Sequence, residues 1–255
     1  HIGPTRLPAV LFVHGGSWAA GDKAFGFAEI NELARRGYLV ASVTYRLAPQ
    51  WKFPAQSEDV KCAVRYLRAH AAEYQLDPAR IGAYGTSAGG HLVAMLGTAD
   101  TGAGFDDSGG NEQESSRVRG VADLFGPADL SQPGFPTSGA VRALLGPEPS
   151  AEALSAASPV TYATSDDPPF LILHGDQDGT VPLSQSLILQ EALQRAGVPA
   201  TLVVVANAGH GFRPVGGEMQ PSRTELSRMI GDFFDAAIKP ANGHGTLRRR
   251  LDRRP

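Results

Sequence analysis

The pentapeptide Gly85-Thr86-Ser87-Ala88-Gly89 sets a serine between two glycines, and a serine hydroxyl becomes a nucleophile when a neighbouring base removes its proton. The flanks suit that use. Residues 81–84 form a short apolar run fit for a strand, and helical spacing begins after Gly90. In a strand-turn-helix context Gly-x-Ser-x-Gly presents the hydroxyl on a sharp turn. Gly85 and Gly89 leave room for the chain to double back, and the unpaired N–H groups opening the helix face developing negative charge.

Such a serine needs a base and an acid to orient the base. Of the seven histidines, His210 stands between Gly209 and Gly211, just past the apolar run 201–206. The acid is sought beyond another apolar run, 170–173, where His174-Gly175-Asp176-Gln177-Asp178 follows. Asp176 lies nearer the strand and suits a turn-former that accepts backbone N–H bonds. Asp178 reaches further along a loop that Val181 and Pro182 pin down, so Asp178 is preferred; in the plainer alternative both aspartates only shape the turn. Donors for an oxyanion are offered by the N–H of Ala88 and by Gly15 and Gly16 in His14-Gly15-Gly16-Ser17-Trp18, where the backbone itself can approach a substrate. Trp18, Phe125, Phe135 and Phe212 are candidate apolar walls of a substrate pocket, each with an alternative as a packing aromatic. His14 is read as holding its loop through a ring hydrogen bond, His91 as bonding or packing against nearby loops, His174 as a satisfied core histidine, and His70 as solvent-facing.

These residues need elements to place them. Runs at 9–13, 38–45, 80–84, 118–125, 170–174 and 201–206 are short and apolar, as buried parallel strands are. Between them fall helical patterns at 28–36, 91–96, 184–196 and 224–238. The clearest is 54–74, where Val60, Val64, Leu67 and Ala71 recur at spacings of three and four, with Glu58, Asp59, Lys61, Arg65 and Arg68 on other faces. Strands alternating with helices imply an α/β fold with a mainly parallel sheet covered on both sides. Two stretches break the alternation. Residues 100–116 read as an exposed loop, and 131–164, with one helix candidate at 140–145, reads as an excursion able to line a cleft.

The chain has 255 residues, a formal charge of −3 and one cysteine, Cys62. Its near-balanced charge gives no case for nucleic acid or a membrane surface as main partner, and no apolar run approaches bilayer-spanning length. Cys62 sits in a helical pattern and reads as a small buried hydrophobe. With the histidines scattered and no His-Glu-x-x-His, no metal is expected, and the glycine pairs match no dinucleotide or phosphate loop, so no cofactor is expected either. Residues 241–255, crowded with Arg248, Arg249, Arg250, Arg253 and Arg254, read as a disordered tail, with a contact site as the alternative. The sequence opens at His1 with no Met and no signal peptide, as a processed or truncated product would. The compartment stays open between cytoplasm and a secreted location.

Together these segments resemble the α/β-hydrolase esterases related to hormone-sensitive lipase, and are most similar to bacterial esterases grouped with bifunctional acetylxylan/feruloyl esterases. The likeness runs through His14-Gly15-Gly16-Ser17-Trp18, Tyr45-Arg46-Leu47-Ala48-Pro49, Gly85-Thr86-Ser87-Ala88-Gly89-Gly90-His91, Phe125-Gly126-Pro127, His174-Gly175-Asp176-Gln177-Asp178 and Gly209-His210-Gly211-Phe212. The resemblance implies an α/β-hydrolase catalytic domain over residues 1–240, with Ser87 as nucleophile, Asp178 as acid, His210 as base and Gly15, Gly16 and Ala88 as oxyanion donors. It implies a serine carboxylesterase for short-chain, aryl or sugar esters, whose partner is a small ester or an ester side chain of a polysaccharide. An arylformamidase needs little beyond the same groups and stays open. A peptidase would need a device for holding a peptide terminus, and a non-catalytic binding protein would be expected to have lost part of the constellation.

Two departures carry expectations. Relatives have an antiparallel strand pair before the first strand, where this chain has only residues 2–8. The sheet is therefore expected to lack one or two edge strands, leaving an edge that could serve as a homodimer contact. No separate helical cap fits, so the cleft is expected to be open and covered by 131–164, which favours bulky or polymeric esters.

Overall fold

The first apolar run folds as β1 (Leu7–Val13), buried at every position after Leu7. A strand buried on both faces needs parallel neighbours and helical crossovers. Here β1 pairs in parallel with β2 (Leu39–Val43) on one side and β3 (Leu76–Thr86) on the other. The computed structural model describes residues 6–24, 28–106 and 108–239; the arginine-rich segment 241–255 lies outside them. The sheet adds β4 (Val121–Leu124), β5 (Phe170–Gly175) and β6 (Ala200–Val205) in the order β2-β1-β3-β4-β5-β6, every neighbouring pair parallel. Among the described residues no antiparallel strand joins this sheet, and β2 forms one edge.

Side chains alternate across a strand, and β1 divides them between two cores. Ala9, Leu11 and Val13 face helices α2 (Ala55–Ala69), α3 (Ala88–Thr98) and α6 (Ser184–Arg195). Val10 and Phe12 face α1 (Ala28–Arg35) and α7 (Arg223–Ile238) through Leu33, Ile230 and Phe234. The apolar stripe Val60, Val64, Leu67 and Ala71 is buried as its spacing predicts. The excursion 131–164 also sends side chains into the first core, through Val141, Leu144, Leu154 and Ala157. It holds α4 (Gly139–Leu145) and a second helix, α5 (Ala151–Ala156), which the proline-rich sequence does not announce; Ser150 caps it by accepting the Ala153 N–H at 3.2 Å.

The polar faces of α2 depart from expectation. Lys61 and Arg65 are buried, because the loop 100–116 folds over them rather than standing free. Lys61 Nζ donates to Asp106 Oδ2 at 2.7 Å and to the Ala99 carbonyl at 2.6 Å. Arg65 donates to Asp106 Oδ1 at 3.0 Å and to the carbonyls of Ser108 and Gly110. Cys62, only partly buried, points its thiol at the Gly109 carbonyl at 3.0 Å. Burial holds the Lys61 ammonium below its usual range, with Asp106 opposing that shift. Asp106→Ala would strand two buried cations, a kind of loss that costs about 3–5 kcal/mol. Urea unfolding should show that drop, and an unchanged midpoint would show the carboxylate to be dispensable.

Candidate active site

At the end of β3 the chain turns sharply into α3, and Ser87 occupies the turn with φ 55° and ψ −119°. This region is strained for any side chain, at about 1–3 kcal/mol, and persists because the surroundings fix it. Ser87 N–H donates to the Leu124 carbonyl at 2.8 Å, and the His91 N–H donates to the Ser87 carbonyl at 3.0 Å. Glycine is required at position 89 by close approach: a Cβ there would stand 2.1 Å from the Val13 carbonyl oxygen. The Ser87 side chain makes no helix-capping bond, so its hydroxyl is left to meet His210.

His210 sits in a tight turn between β7 (Ala208–Gly209) and β8 (Arg213–Pro214), an antiparallel pair just past β6. Asp176 ties this turn to the β5 loop by accepting the Ala208 N–H at 3.2 Å. His210 Nε2 lies 3.0 Å from Ser87 Oγ, and His210 Nδ1 lies 2.7 Å from Asp178 Oδ2. The tautomer follows from chemistry. A carboxylate only accepts, so Nδ1 carries the proton, Nε2 presents its lone pair, and Ser87 donates. The Asp178 side chain is wholly buried, and its other oxygen accepts the N–H groups of Thr180 at 2.8 Å and Val181 at 2.9 Å. Burial pushes this carboxyl upward, but the nearby His174 ring and hydrogen bonds from His210 and the two amides outweigh it and hold the group well below the usual carboxylate range.

His174, expected to be a satisfied core residue, has both ring nitrogens partnered and also touches the site. Its Nε2 donates to the Val181 carbonyl at 2.8 Å and lies 3.5 Å from Asp178 Oδ2, while its Nδ1 meets Ser186 Oγ at 2.6 Å. The geometry makes it chiefly an anchor of the acid loop. Asp123, buried under the elbow, accepts the Gly126 N–H at 2.9 Å, and burial pushes its carboxyl up to about 6.

The Gly15-Gly16 turn lies against the serine, since a Cβ on Gly15 would stand 3.2 Å from Ser87 Cβ. His14 holds that turn by donating from Nδ1 to the Gly15 carbonyl at 2.7 Å, and its ring stacks on Tyr45. Ala88 opens α3, where the first-turn amides have no acceptor within the helix. The Gly15-Gly16 turn and the first turn of α3 thus flank Ser87. In front of it lies a cavity of about 300 Å³ walled by Trp18, Pro127, Phe135, Val141 and Val181. Phe125 and Phe212 are not among its lining residues. Both are buried in the second core, where the Phe125 ring packs edge-on against His210 and Phe212, each at 4.9 Å. They back the histidine rather than wall a pocket. Val141 carries no motif, and Val181 is marked only as pinning the acid loop, so nothing in the local sequence marks either as a lining residue.

Along the chain, the serine elbow, the carboxylate loop and the histidine loop follow strands of one parallel sheet in the order that α/β-hydrolases use, and the architecture is an α/β-hydrolase fold. More narrowly, the chain belongs to the BD-FAE family, whose pattern matches residues 3–193. It is 31% identical over 220 residues to Esterase LipC of Mycobacterium tuberculosis, covering 82% of this chain and 54% of that protein. A truncated carbohydrate esterase from gut microbiota superimposes with a TM-score of 0.81 at 31% identity, covering 94% of this chain and 88% of the other. An acetyl ester-xyloside bifunctional hydrolase from Caldicellulosiruptor lactoaceticus gives 0.78 at 27% identity, covering 91% and 84%. The chain spans about half the length of the curated relatives it matches. No described helix is long and apolar enough to cross a membrane.

Proposed function

We propose that this chain hydrolyses carboxylic esters through an acyl-enzyme on Ser87, with short acyl groups and sugar or aryl alcohols as the substrate class. The observation that carries this reading is the unbroken run Asp178–His210–Ser87, at 2.7 and 3.0 Å, ending at a cavity open to substrate. His210 takes the Ser87 proton as Oγ attacks the ester carbonyl, and the N–H groups of Gly15, Gly16 and Ala88 stabilise the resulting oxyanion. His210, held in one tautomer by Asp178, returns the proton to the departing alkoxide. A water molecule deprotonated by the same ring then attacks the acyl-enzyme, releasing the acid and restoring the serine.

Two features support the substrate class. At about 300 Å³ the cavity sits at the small end of ligand sites, room enough for a short acyl chain. Two solved structures it resembles are described as acting on carbohydrate or acetyl esters. Steady-state hydrolysis of p-nitrophenyl acetate, butyrate and decanoate, methyl ferulate, acetylated xylan and N-formylkynurenine tests the reading, with Ser87→Ala as blank. Acetate and butyrate should exceed decanoate by about 10–100-fold in kcat/KM, the discrimination a tight apolar wall delivers. A dominant rate on N-formylkynurenine would move the assignment to a formamidase, and no turnover on the panel would overturn it.

A further inference from the structure

One buried histidine outside the proposed triad joins three pieces of the site wall. The His91 ring lies between the Trp18 indole, whose Nε1 is 3.1 Å from His91 Nδ1, and the Ala157 carbonyl, 2.7 Å from His91 Nε2. An indole N–H can only donate and a carbonyl can only accept. Nδ1 must therefore hold the lone pair and Nε2 the proton, so one neutral tautomer satisfies both contacts. His91 is fully buried and Trp18 is 3% exposed, and burial pushes the imidazole down to about 4, which keeps it neutral.

The three partners belong to different parts of the cleft. Trp18 follows the Gly15-Gly16 turn and lines the cavity beside Ser87. Ser17 and Trp18 are consecutive non-glycine residues in the left-handed region, at φ 54° and 60°, so this turn needs outside support to persist. The Trp18 carbonyl is held by the Ala48 N–H at 2.9 Å, and its ring by His91. His91 itself is tied to Ser87 through its backbone, 3.0 Å to the Ser87 carbonyl. Ala157 closes α5, within the excursion that supplies Phe135 and Val141 to the same cavity.

We propose that His91 is a positioning residue for ester hydrolysis, fixing Trp18, and with it the oxyanion turn, against the helix that carries Ser87. The proposal rests on the esterase reading above. Oxyanion donors act within a few tenths of an ångström of their target, and a displacement of about 1 Å costs about 100-fold in rate. His91→Leu fills the space without polar atoms. It should lower kcat about 10–100-fold with KM nearly unchanged, and weaken inhibition by a phenylboronic acid, a mimic of the tetrahedral adduct, by the same factor. His91→Gln, with one acceptor and one donor on its amide, should recover most of both. Trp18→Phe keeps one aromatic ring and removes the indole N–H together with the fused second ring, so it breaks the same link from the other side if His91→Leu fails to fold. The Trp18 indole proton should also shift upfield and exchange faster in His91→Leu, a readout independent of activity. A His91→Leu protein that melts earlier yet keeps wild-type kcat and boronate affinity would overturn the positioning role alone. A wild type inert toward every ester would overturn the esterase reading and this proposal together.

Discussion

Replacing Ser87 by alanine is expected to lower kcat on p-nitrophenyl acetate by about 10⁵–10⁶-fold, the scale seen when a serine nucleophile is removed from an intact triad. The residual rate comes from oxyanion donors and binding acting on water alone. His210→Ala should cost a similar factor, and the double variant no more than either, because base and nucleophile act as one unit. Stability moves the other way. The Ser87 side chain caps nothing, so alanine leaves the fold intact, and Ser87→Gly relieves the strain of φ 55°, which should raise stability by about 1 kcal/mol. Steady-state assays and thermal melts on these four variants and the wild type check both halves. Turnover retained in Ser87→Ala would remove the proposed nucleophile outright.

Asp178→Asn should lower kcat by about 10⁴-fold while leaving the backbone in place. The asparagine carbonyl can still accept the Thr180 and Val181 amides, which now meet Asp178 Oδ1 at 2.8 and 2.9 Å. Its amide nitrogen would then face His210 Nδ1 where Oδ2 stands at 2.7 Å. A donor there turns Nδ1 into an acceptor and moves the proton to Nε2, so the ring points a proton at Ser87 instead of a lone pair. The pH behaviour of the wild type has a definite sign. Because the folded carboxyl is held below its ordinary range, Asp178 contributes stability that is present above about pH 4, the unfolded value, and is lost as pH falls through the lower folded one. Asp178→Asn lacks that contribution and should lose less stability on acidification below about pH 4. Loss of wild-type activity between neutrality and that point must then report another group. Denaturant melts and kcat profiles across pH measure each, and an Asp178→Asn enzyme with more than about a tenth of wild-type kcat would sink the orienting role.

Much of the fold was legible because its signals are local. The stripe of Val60, Val64, Leu67 and Ala71 repeats at helical spacing, and the 9–13 run has the density of a strand buried on both faces; both observations need only neighbours in sequence. The second excursion helix was hidden, since prolines at 147 and 149 dominate the reading while Ser150 quietly supplies a cap. The spacing sets Lys61 and Arg65 on faces of α2 away from its apolar stripe. Their burial depends on Asp106 and loop carbonyls from more than 40 positions away, and pattern within one helix carries no trace of that.

The candidate site divides in the same way. The elbow around Ser87, the glycines a close approach demands, and the loops after β5 and β6 are legible in consecutive residues, because backbone sterics and strand-helix alternation are local. Which atoms meet depends on how the chain packs in three dimensions. Phe125, Phe135 and Phe212 are equivalent as aromatics, yet Phe135 reaches the cavity while the other two pack behind His210. His174 stands four positions before Asp178, and its bond to Val181 follows from how that loop closes. Ser87 and His210 lie 123 positions apart and approach to 3.0 Å. That contact depends on the order of strands in the sheet and the direction of each turn, which no stretch of consecutive residues specifies.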